Sequence, residues 1–426
     1  MNFSAPINSN NYITNFFLLL FSILPLSFIT GSAILEINII LIDISFITLI
    51  IINKKFQFIK SKPIIYLLIL YAYLIFNSLI SINIHEGLSR NLGFLRFIIL
   101  FSAFNYFFLD KNFYSKIFKL WTIFFFIVSI DVFIEQFSGK NILGFNYGVR
   151  FIDDGATLMH GRIVSFFKDE PIVGGFINGF YLILIGFFLN ELKKNKLNLL
   201  FPIILMVIFF AAIMFSGERS NTIKAFLGLL LFIFFMKQIN YKKKLSILLA
   251  AITFVFIIII NMQFLSIRYV SNIENIFKKH TIYFDLYYSG FHVFKNNKFF
   301  GVGNKNYRVE TCSKKILSDI NKKKVYHCNN HPHQIYLELL SEHGLIGTLI
   351  ILFILFKLIF SKILKVYYDS NYLKIGSLIY MIFVFTPLIP SGAFFSSNLI
   401  TIFMLNLSIF YAVDQKSNIF NSVNYK

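Results

Sequence analysis

The chain alternates between long apolar stretches and short polar connections along almost its whole length. The apolar stretches run to roughly 17–25 residues, the length a helix needs to cross the hydrocarbon core of a bilayer. The pattern therefore predicts an all-α fold, a polytopic transmembrane helical bundle of about twelve spans. The predicted spans are 12–30, 33–52, 63–82, 88–108, 117–137, 171–190, 197–215, 220–236, 245–265, 345–360, 373–389 and 398–413.

Every second connection is rich in lysine. Because Lys and Arg concentrate in cytoplasmic loops, this alternation predicts a multi-pass membrane protein with both termini in the cytoplasm. The net charge of +20 is largely explained by these loops, so it does not call for a nucleic-acid partner. The lysines are Lys54, Lys55, Lys60 and Lys62; Lys111, Lys116 and Lys119; Lys193, Lys194 and Lys196; Lys237 and Lys242 to Lys244; Lys362, Lys365 and Lys374.

Two connections on the opposite, outer side of the membrane are long, 138–170 and 266–344. The larger loop divides the chain into spans one to nine (1–265), the loop itself, and spans ten to twelve with a cytoplasmic tail (345–426). Both cysteines, Cys312 and Cys328, lie in this loop. An oxidising compartment favours a disulfide between them, although two free thiols would fit the same positions. Nothing in the sequence indicates a metal site or a nucleotide-binding loop, and no cofactor is expected.

The stretch "HCNNHPHQIYLELLSEHGLIG" is the most polar part of the larger loop. Pro332 suits the first position of a helix, with Asn330 or His331 as its cap. We expect a short amphipathic helix at the outer membrane surface, because Gln334, Glu338 and Glu342 recur every four residues on one stripe.

Such a helix would present His331 and His333 at its N-terminus, where backbone N–H groups favour a phosphate or diphosphate. A histidine there can accept a proton from an attacking hydroxyl. The alternative is that both histidines are ordinary interfacial polar residues.

The spacing His333-Gln334, nine residues, Gly344 and Gly347 resembles the loop motif of the O-antigen ligase and O-antigen polymerase superfamily of membrane glycosyltransferases. Three further stretches resemble its other motifs in the expected order, over about residues 161–350. They are "GRIVSFFKDEPIVGG" with Arg162, Asp169 and Glu170; "FSGERSN" with Arg219; and "FFGVGNKNYR" with Gly301, Gly303 and Arg308.

The resemblance implies an enzyme of the bacterial inner membrane that moves a glycan from a polyprenyl diphosphate to an acceptor hydroxyl at the periplasmic face. It implies His333 as the base or as the group that positions the acceptor. Arg219 and Arg162, then Arg308, are expected at the diphosphate, because a guanidinium contacts two oxygens at once. A ligase uses lipid A-core as acceptor, a polymerase a second lipid-linked repeat unit, and a third relative a protein hydroxyl. The ligase reading is slightly preferred.

The sequence departs from the family in one place. Ligases often carry another arginine some fifty residues before the histidine, where this chain reads "NIFKKHTIYFDLYY". Either Lys278, Lys279 or His280 takes its place, or the diphosphate is held differently.

The other candidates have structural alternatives. Arg219 could be an interfacial anchor, Arg162 a solvated loop residue, and Arg96 either an ion-pair partner of Asp43 or a contact to the lipid diphosphate. Glu170 could contact substrate, whereas Asp169 is better explained as a cap of the span that opens at Pro171. The expected substrate contacts are therefore Arg308, His331, Gln334, Glu170, His280 and Arg96.

A transporter or flippase of lipid-linked glycans is the rival from another class. It would need ionisable groups near the bilayer midplane, where Asp43, Arg96 and Asp131 are the few candidates.

Overall fold

The computed structural model describes residues 11–146, 149–151, 158–160, 162–195, 200–237, 240–266, 268–269, 282–313, 316, 325–369 and 371–421. Most of them are helical, as the sequence predicts. The helices are α1 (Asn11–Ser22), α2 (Leu24–Thr30), α3 (Ser32–Asn53), α4 (Lys62–Leu79), α5 (Ile84–Leu92), α6 (Leu95–Phe107), α7 (Lys111–Ser138), α8 (Val173–Asn195), α9 (Leu200–Phe215), α10 (Arg219–Phe235), α11 (Tyr241–Asn261), α12 (Gln263–Ser266), α13 (Ile282–Asn296), α14 (Tyr307–Thr311), α15 (Ile335–Leu358), α16 (Ile363–Asp369), α17 (Tyr372–Val384) and α18 (Ser397–Ala412).

A small antiparallel hairpin interrupts the helical pattern. Strands β1 (Val149–Phe151) and β2 (Leu158–His160) pair within the predicted loop 138–170. The sequence analysis did not anticipate this hairpin, since three-residue strands carry too little alternation to be recognised.

Among the described residues, seven helices are long and apolar enough to cross a membrane. The bent pair α1 and α2 would make an eighth span, and α9, α17 and α18 are shorter apolar helices. These helices fit a multi-pass membrane protein. A helix also occupies most of each of the twelve predicted spans, but the count of about twelve stays a prediction.

The chain divides into two compact units. Unit 1 comprises residues 1–42, 107–278 and 365–383. Its described core is aromatic: Trp121 is fully buried, donates its Nε1–H to the carbonyl oxygen of Phe21 at 3.0 Å, and meets the ring of Phe180 edge-on. Small residues let helix backbones approach each other closely in a membrane protein. Here Gly186 of α8 lies against the backbone of Tyr372, and Gly376 of α17 lies against the backbone of Leu182.

Unit 2 comprises residues 43–106, 279–364 and 384–426. Buried asparagines hold its polar parts together. Asn77 of α4 accepts the backbone N–H of Asn304 at 2.8 Å, and Asn306 accepts that of Asn83 at 2.8 Å. Asn91 of α5 receives a hydrogen bond from the Asn304 side chain. The segment 303–306 is therefore fixed against α4 and α5, which positions the loop that precedes the histidine motif.

Candidate functional site

Helix α15 is broken at the first glycine of the histidine motif. Gly344 has φ +64° and ψ −172° inside an otherwise helical segment. Its neighbours donate backbone N–H groups to the turn 298–301: Leu345 to the Lys298 carbonyl at 2.8 Å, and Ile346 to the Phe299 carbonyl at 3.1 Å. A Cβ at Gly344 would lie 2.3 Å from the backbone of Phe299. Glycine is therefore required there by both conformation and space.

The second motif glycine makes room for a tyrosine. A Cβ at Gly347 would lie 1.6 Å from the Tyr73 hydroxyl, which contacts Nδ1 of the buried His343 at 3.3 Å. The two glycines of the motif thus have structural roles.

The helix begins three residues later than predicted. Its N-cap is Gln334, whose side-chain oxygen accepts the N–H of Leu337 at 2.7 Å. The predicted caps, Asn330 or His331 before a helix starting at Pro332, are wrong. His333 has φ +55° just before the cap, and this left-handed residue separates the loop from the helix. The side-chain oxygen of Gln334 therefore has a structural role at the start of α15.

The two motif histidines lie side by side in unit 2. The ring centroids of His331 and His333 are 4.1 Å apart. Nε2 of His331 lies 3.3 Å from the carbonyl oxygen of Ser391, and the Ser391 N–H donates to the His333 carbonyl at 2.9 Å. A carbonyl only accepts, so Nε2 carries the proton and Nδ1 the lone pair. Burial, with the charges of His333 and Lys305, lowers the pKa of His331 to about 3.

Glu338 holds the loop segment 391–394, which contacts these histidines. Both of its carboxylate oxygens lie 3.0 Å from the backbone N of Phe394, three residues after Ser391. Glu342, one turn further on, accepts the N–H of Tyr307 at 3.4 Å.

Both glutamates are buried, so the polar stripe faces the interior of unit 2. The expected amphipathic helix at the membrane surface is therefore wrong for this segment. Lys305 is the positive charge acting on both carboxylates. We call His331, His333, Lys305, Glu338 and Glu342 the histidine cluster.

A disulfide joins Cys312, just after α14, to Cys328, three residues before His331. Tyr307 of α14 is buried and its hydroxyl contacts the Ser289 hydroxyl at 2.8 Å, while Ser289 accepts the N–H of His327 at 3.1 Å. The loop before the histidines is thus tied to α13 and α14. Arg308 is exposed on α14.

In unit 1, two buried carboxylates fix the segment that follows Arg162. Glu135 of α7 accepts the backbone N–H groups of Val164 and Ser165, and Asp131 accepts the Ser165 hydroxyl. Asp131 is a possible transport residue by sequence, whereas in the structure its carboxylate holds this segment.

The turn between α9 and α10 connects three elements. Its carboxylate, Glu218, accepts the N–H of Gly174 at 2.6 Å and of Gly175 at 3.3 Å, and the side-chain amide of Asn221 at 2.6 Å. Glu218 therefore caps α8 from a distance in sequence, while Asp169 and Glu170 are exposed. The prediction that Asp169 caps this span is wrong. Burial raises the pKa of Glu218, and its hydrogen bonds and Arg162 oppose that shift.

Three arginines gather at this turn. Arg162 and Arg219 act electrostatically on Glu218 and on Tyr269, respectively. Arg268 donates Nε–H to the carbonyl oxygen of Gly217 at 2.9 Å. We call Arg162, Arg219 and Arg268 the arginine cluster. The family spacing points to residues 275–288, so Arg268 was not among the predicted site residues. The signal that could have identified it is that Arg268 is the only arginine in the first part of the larger loop.

Two members of the cluster keep their guanidinium groups available. Among the residues that the structure describes, neither Arg162 nor Arg219 has a hydrogen-bonded carboxylate partner. The two oxygens of Glu218 instead accept hydrogen bonds from backbone N–H groups and from the Asn221 side-chain amide. Arg219 also stands at the N-terminus of α10. Guanidinium groups at a helix N-terminus are suited to bind an anion such as a diphosphate.

The remaining candidates lie elsewhere. Arg96 is in the first turn of α6, with its guanidinium 4.9 Å from the Phe97 ring centroid, and its charge acts on the buried Asp43 within unit 2. Both carboxylate oxygens of Asp43 are buried without a hydrogen-bond partner among the described residues, so the ion-pair and lipid-contact interpretations of Arg96 both remain predictions. His280, Lys278 and Lys279 lie outside the described residues.

Residues 204–352 match a protein-family model described as O-antigen ligase. The match confirms the resemblance that the sequence motifs indicated, and it supports a membrane glycosyltransferase of the ligase or polymerase type. It includes Arg219, Arg268 and the whole histidine cluster, whereas Arg162 precedes it. No curated protein matches the chain.

Proposed function

We propose that this chain, with its O-antigen ligase match over residues 204–352, is an inner-membrane glycosyltransferase that uses a polyprenyl-diphosphate-linked oligosaccharide as donor. The acceptor is a hydroxyl at the periplasmic face, of lipid A-core if the chain is a ligase. The substrates are amphipathic, with a polyprenyl tail that remains in the bilayer.

The observation that carries the proposal is the gathering of Arg162, Arg219 and Arg268 at one turn. A diphosphate leaving group develops negative charge as its bond to the sugar breaks. Fixed donors that stabilise this charge lower the barrier, and losing one typically costs about 10²–10³ in kcat. The arginine cluster supplies such donors without a metal ion.

The histidine cluster supplies the second requirement, a proton acceptor. The acceptor oxygen attacks the anomeric carbon, the bond from that carbon to the diphosphate oxygen breaks, and the polyprenyl diphosphate leaves. The acceptor proton passes to His333, which returns it to solvent. His331, held by Ser391, orients the loop that carries His333.

An acceptor panel tests the proposal. Purified protein in nanodiscs receives a polyprenyl-diphosphate oligosaccharide together with lipid A-core, a second lipid-linked repeat unit, or a serine-containing peptide, and product masses are read. Glycosylated lipid A-core identifies a ligase, lengthened lipid-linked chains a polymerase, and glycopeptide a protein glycosyltransferase.

Two histidine variants provide the comparison. His333→Ala should abolish every product, whereas His85→Ala, at an exposed position of α5, should leave the rate unchanged. Undiminished product formation by His333→Ala would contradict the assigned role of His333. Movement of intact donor across the bilayer with no product of any kind would favour a transporter.

A further inference from the structure

Helix α13 has two opposite faces with different neighbours. Its buried face, which includes Leu286, Ser289, Gly290 and Val293, lies against α14, α15 and the histidine loop. A Cβ at Gly290 would lie 2.7 Å from the Pro332 ring, so the loop sits directly on this face.

The other face carries exposed aromatic side chains. Tyr288 is 53% exposed and Phe291 is 49% exposed, and Lys295 continues the same stripe one turn later. Just beyond the helix, Lys298 is exposed and Phe299 is 68% exposed. An aromatic stripe that ends in lysines is typical of helices lying in the plane of a membrane interface.

This surface is continuous with the exposed apolar side of α15, which is long and apolar enough to cross a membrane. The backbone carbonyls of Lys298 and Phe299 accept the N–H groups of Leu345 and Ile346, the first residues of α15 after its break. From there α15 presents exposed apolar side chains, among them Leu349, along its membrane-spanning part. The end of the aromatic stripe is thus fixed where the exposed apolar surface of α15 begins.

We infer that α13 is an in-plane anchor whose aromatic stripe lies among the phospholipid headgroups and upper acyl chains. Tyr288, Phe291 and Phe299 insert at that level, and Lys295 and Lys298 bind anionic headgroup phosphates. Because the opposite face of α13 holds the histidine loop, the anchor sets the height of His331 and His333 relative to the bilayer. The anchor does not depend on the reaction proposed above.

Tryptophan fluorescence of the full-length protein in nanodiscs tests the anchor. Phe291→Trp and, independently, Tyr288→Trp place a reporter on the stripe, while the native Trp121, which is fully buried, contributes a constant background measured in the wild type. Leu349→Trp is the matched reporter for the membrane-spanning surface. Each protein is measured with lipids brominated near the headgroup, with lipids brominated near the chain end, and with aqueous iodide.

The stripe reporters should lose about half of their added emission to bromine near the headgroup and less to bromine near the chain end, as interfacial aromatic rings do. They should resist iodide, and Leu349→Trp should show the reverse depth preference. Adding phosphatidylglycerol to zwitterionic nanodiscs should strengthen shallow quenching, and Lys295→Gln with Lys298→Gln should remove that increase.

Two results would overturn the inference. Strong iodide quenching without bromine quenching would place the stripe in water. Resistance to both quenchers would mean that protein covers it, either another part of the chain or a second copy.

Discussion

At the scale of single residues, the clearest difference between the sequence and the structure concerns Arg268. The family pattern directed the search to residues 275–288, and that segment contains no arginine. Arg268 instead binds the Gly217 carbonyl and joins Arg162 and Arg219 at the turn before α10. A sequence comparison by spacing cannot find such a substitute, because the position is defined by a turn some fifty residues away.

Two substitutions of Arg268 can distinguish the effect of its positive charge on kcat from the effect of its planar shape and hydrogen bond. Arg268→Lys keeps the charge but loses the planar fork and the Nε–H donated to Gly217. We expect the kcat of this variant to fall by about 10-fold or more. The kcat of Arg268→Gln should fall further, toward the factor of about 10²–10³ that is typical when an anion-stabilising donor is lost. Steady-state transfer rates check this, with the exposed Lys140→Gln as control. Equal rates for Arg268→Gln and wild type would remove Arg268 from the site.

The half-buried His331, whose pKa is lowered, predicts how stability depends on pH. Its folded-state pKa of about 3 lies below the unfolded value of about 6.5, so the unfolded chain binds the proton first. Stability from this group is therefore complete above pH 6.5 and declines as the pH falls toward 3. Melting temperatures at pH 7 and pH 4.5 should differ less for His331→Gln than for wild type. An identical pH response of the two proteins would show that His331 is not held neutral.

At the scale of elements, the sequence pattern located the helices but not the direction of their polar faces. Gln334, Glu338 and Glu342 do share one stripe, as their four-residue spacing requires. Periodicity alone cannot distinguish a stripe facing water from one facing a buried loop. Here the stripe faces inward because Phe394 and Tyr307 offer backbone N–H groups to the two glutamates.

The same limit explains the capping error. Glu218 caps α8 across 44 positions of sequence, whereas local sequence patterns point only to neighbouring carboxylates such as Asp169.

The break in α15 gives an element-scale prediction. Gly344→Ala would force a Cβ to within 2.3 Å of the Phe299 backbone at a φ of +64°. We expect roughly 3 kcal/mol or more of destabilisation, from the left-handed conformation together with displacement of the turn. Thermal unfolding in detergent measures it. Gly392→Ala, with open space around its Cβ, is the matched control and should unfold as wild type does. A normal melting temperature for Gly344→Ala would show that α15 does not require the break.

At the scale of the whole molecule, hydropathy predicted a helical membrane protein, and seven helices in the described part of the chain meet the requirements for a span. The count of about twelve, the inner-membrane location and the periplasmic face remain predictions. The division into two units was not foreseen, because each unit is assembled from segments far apart in sequence, such as 43–106 with 384–426.

The central claim is that the chain breaks the bond between a glycan and a polyprenyl diphosphate and gives the glycan to a hydroxyl. The most direct measurement counts both products from one reaction, the free polyprenyl diphosphate released and the glycan gained by the acceptor. We predict equal amounts of the two, with both lost in His333→Ala. Free diphosphate without glycosylated acceptor, or intact donor recovered on the other side of the bilayer, would contradict the account.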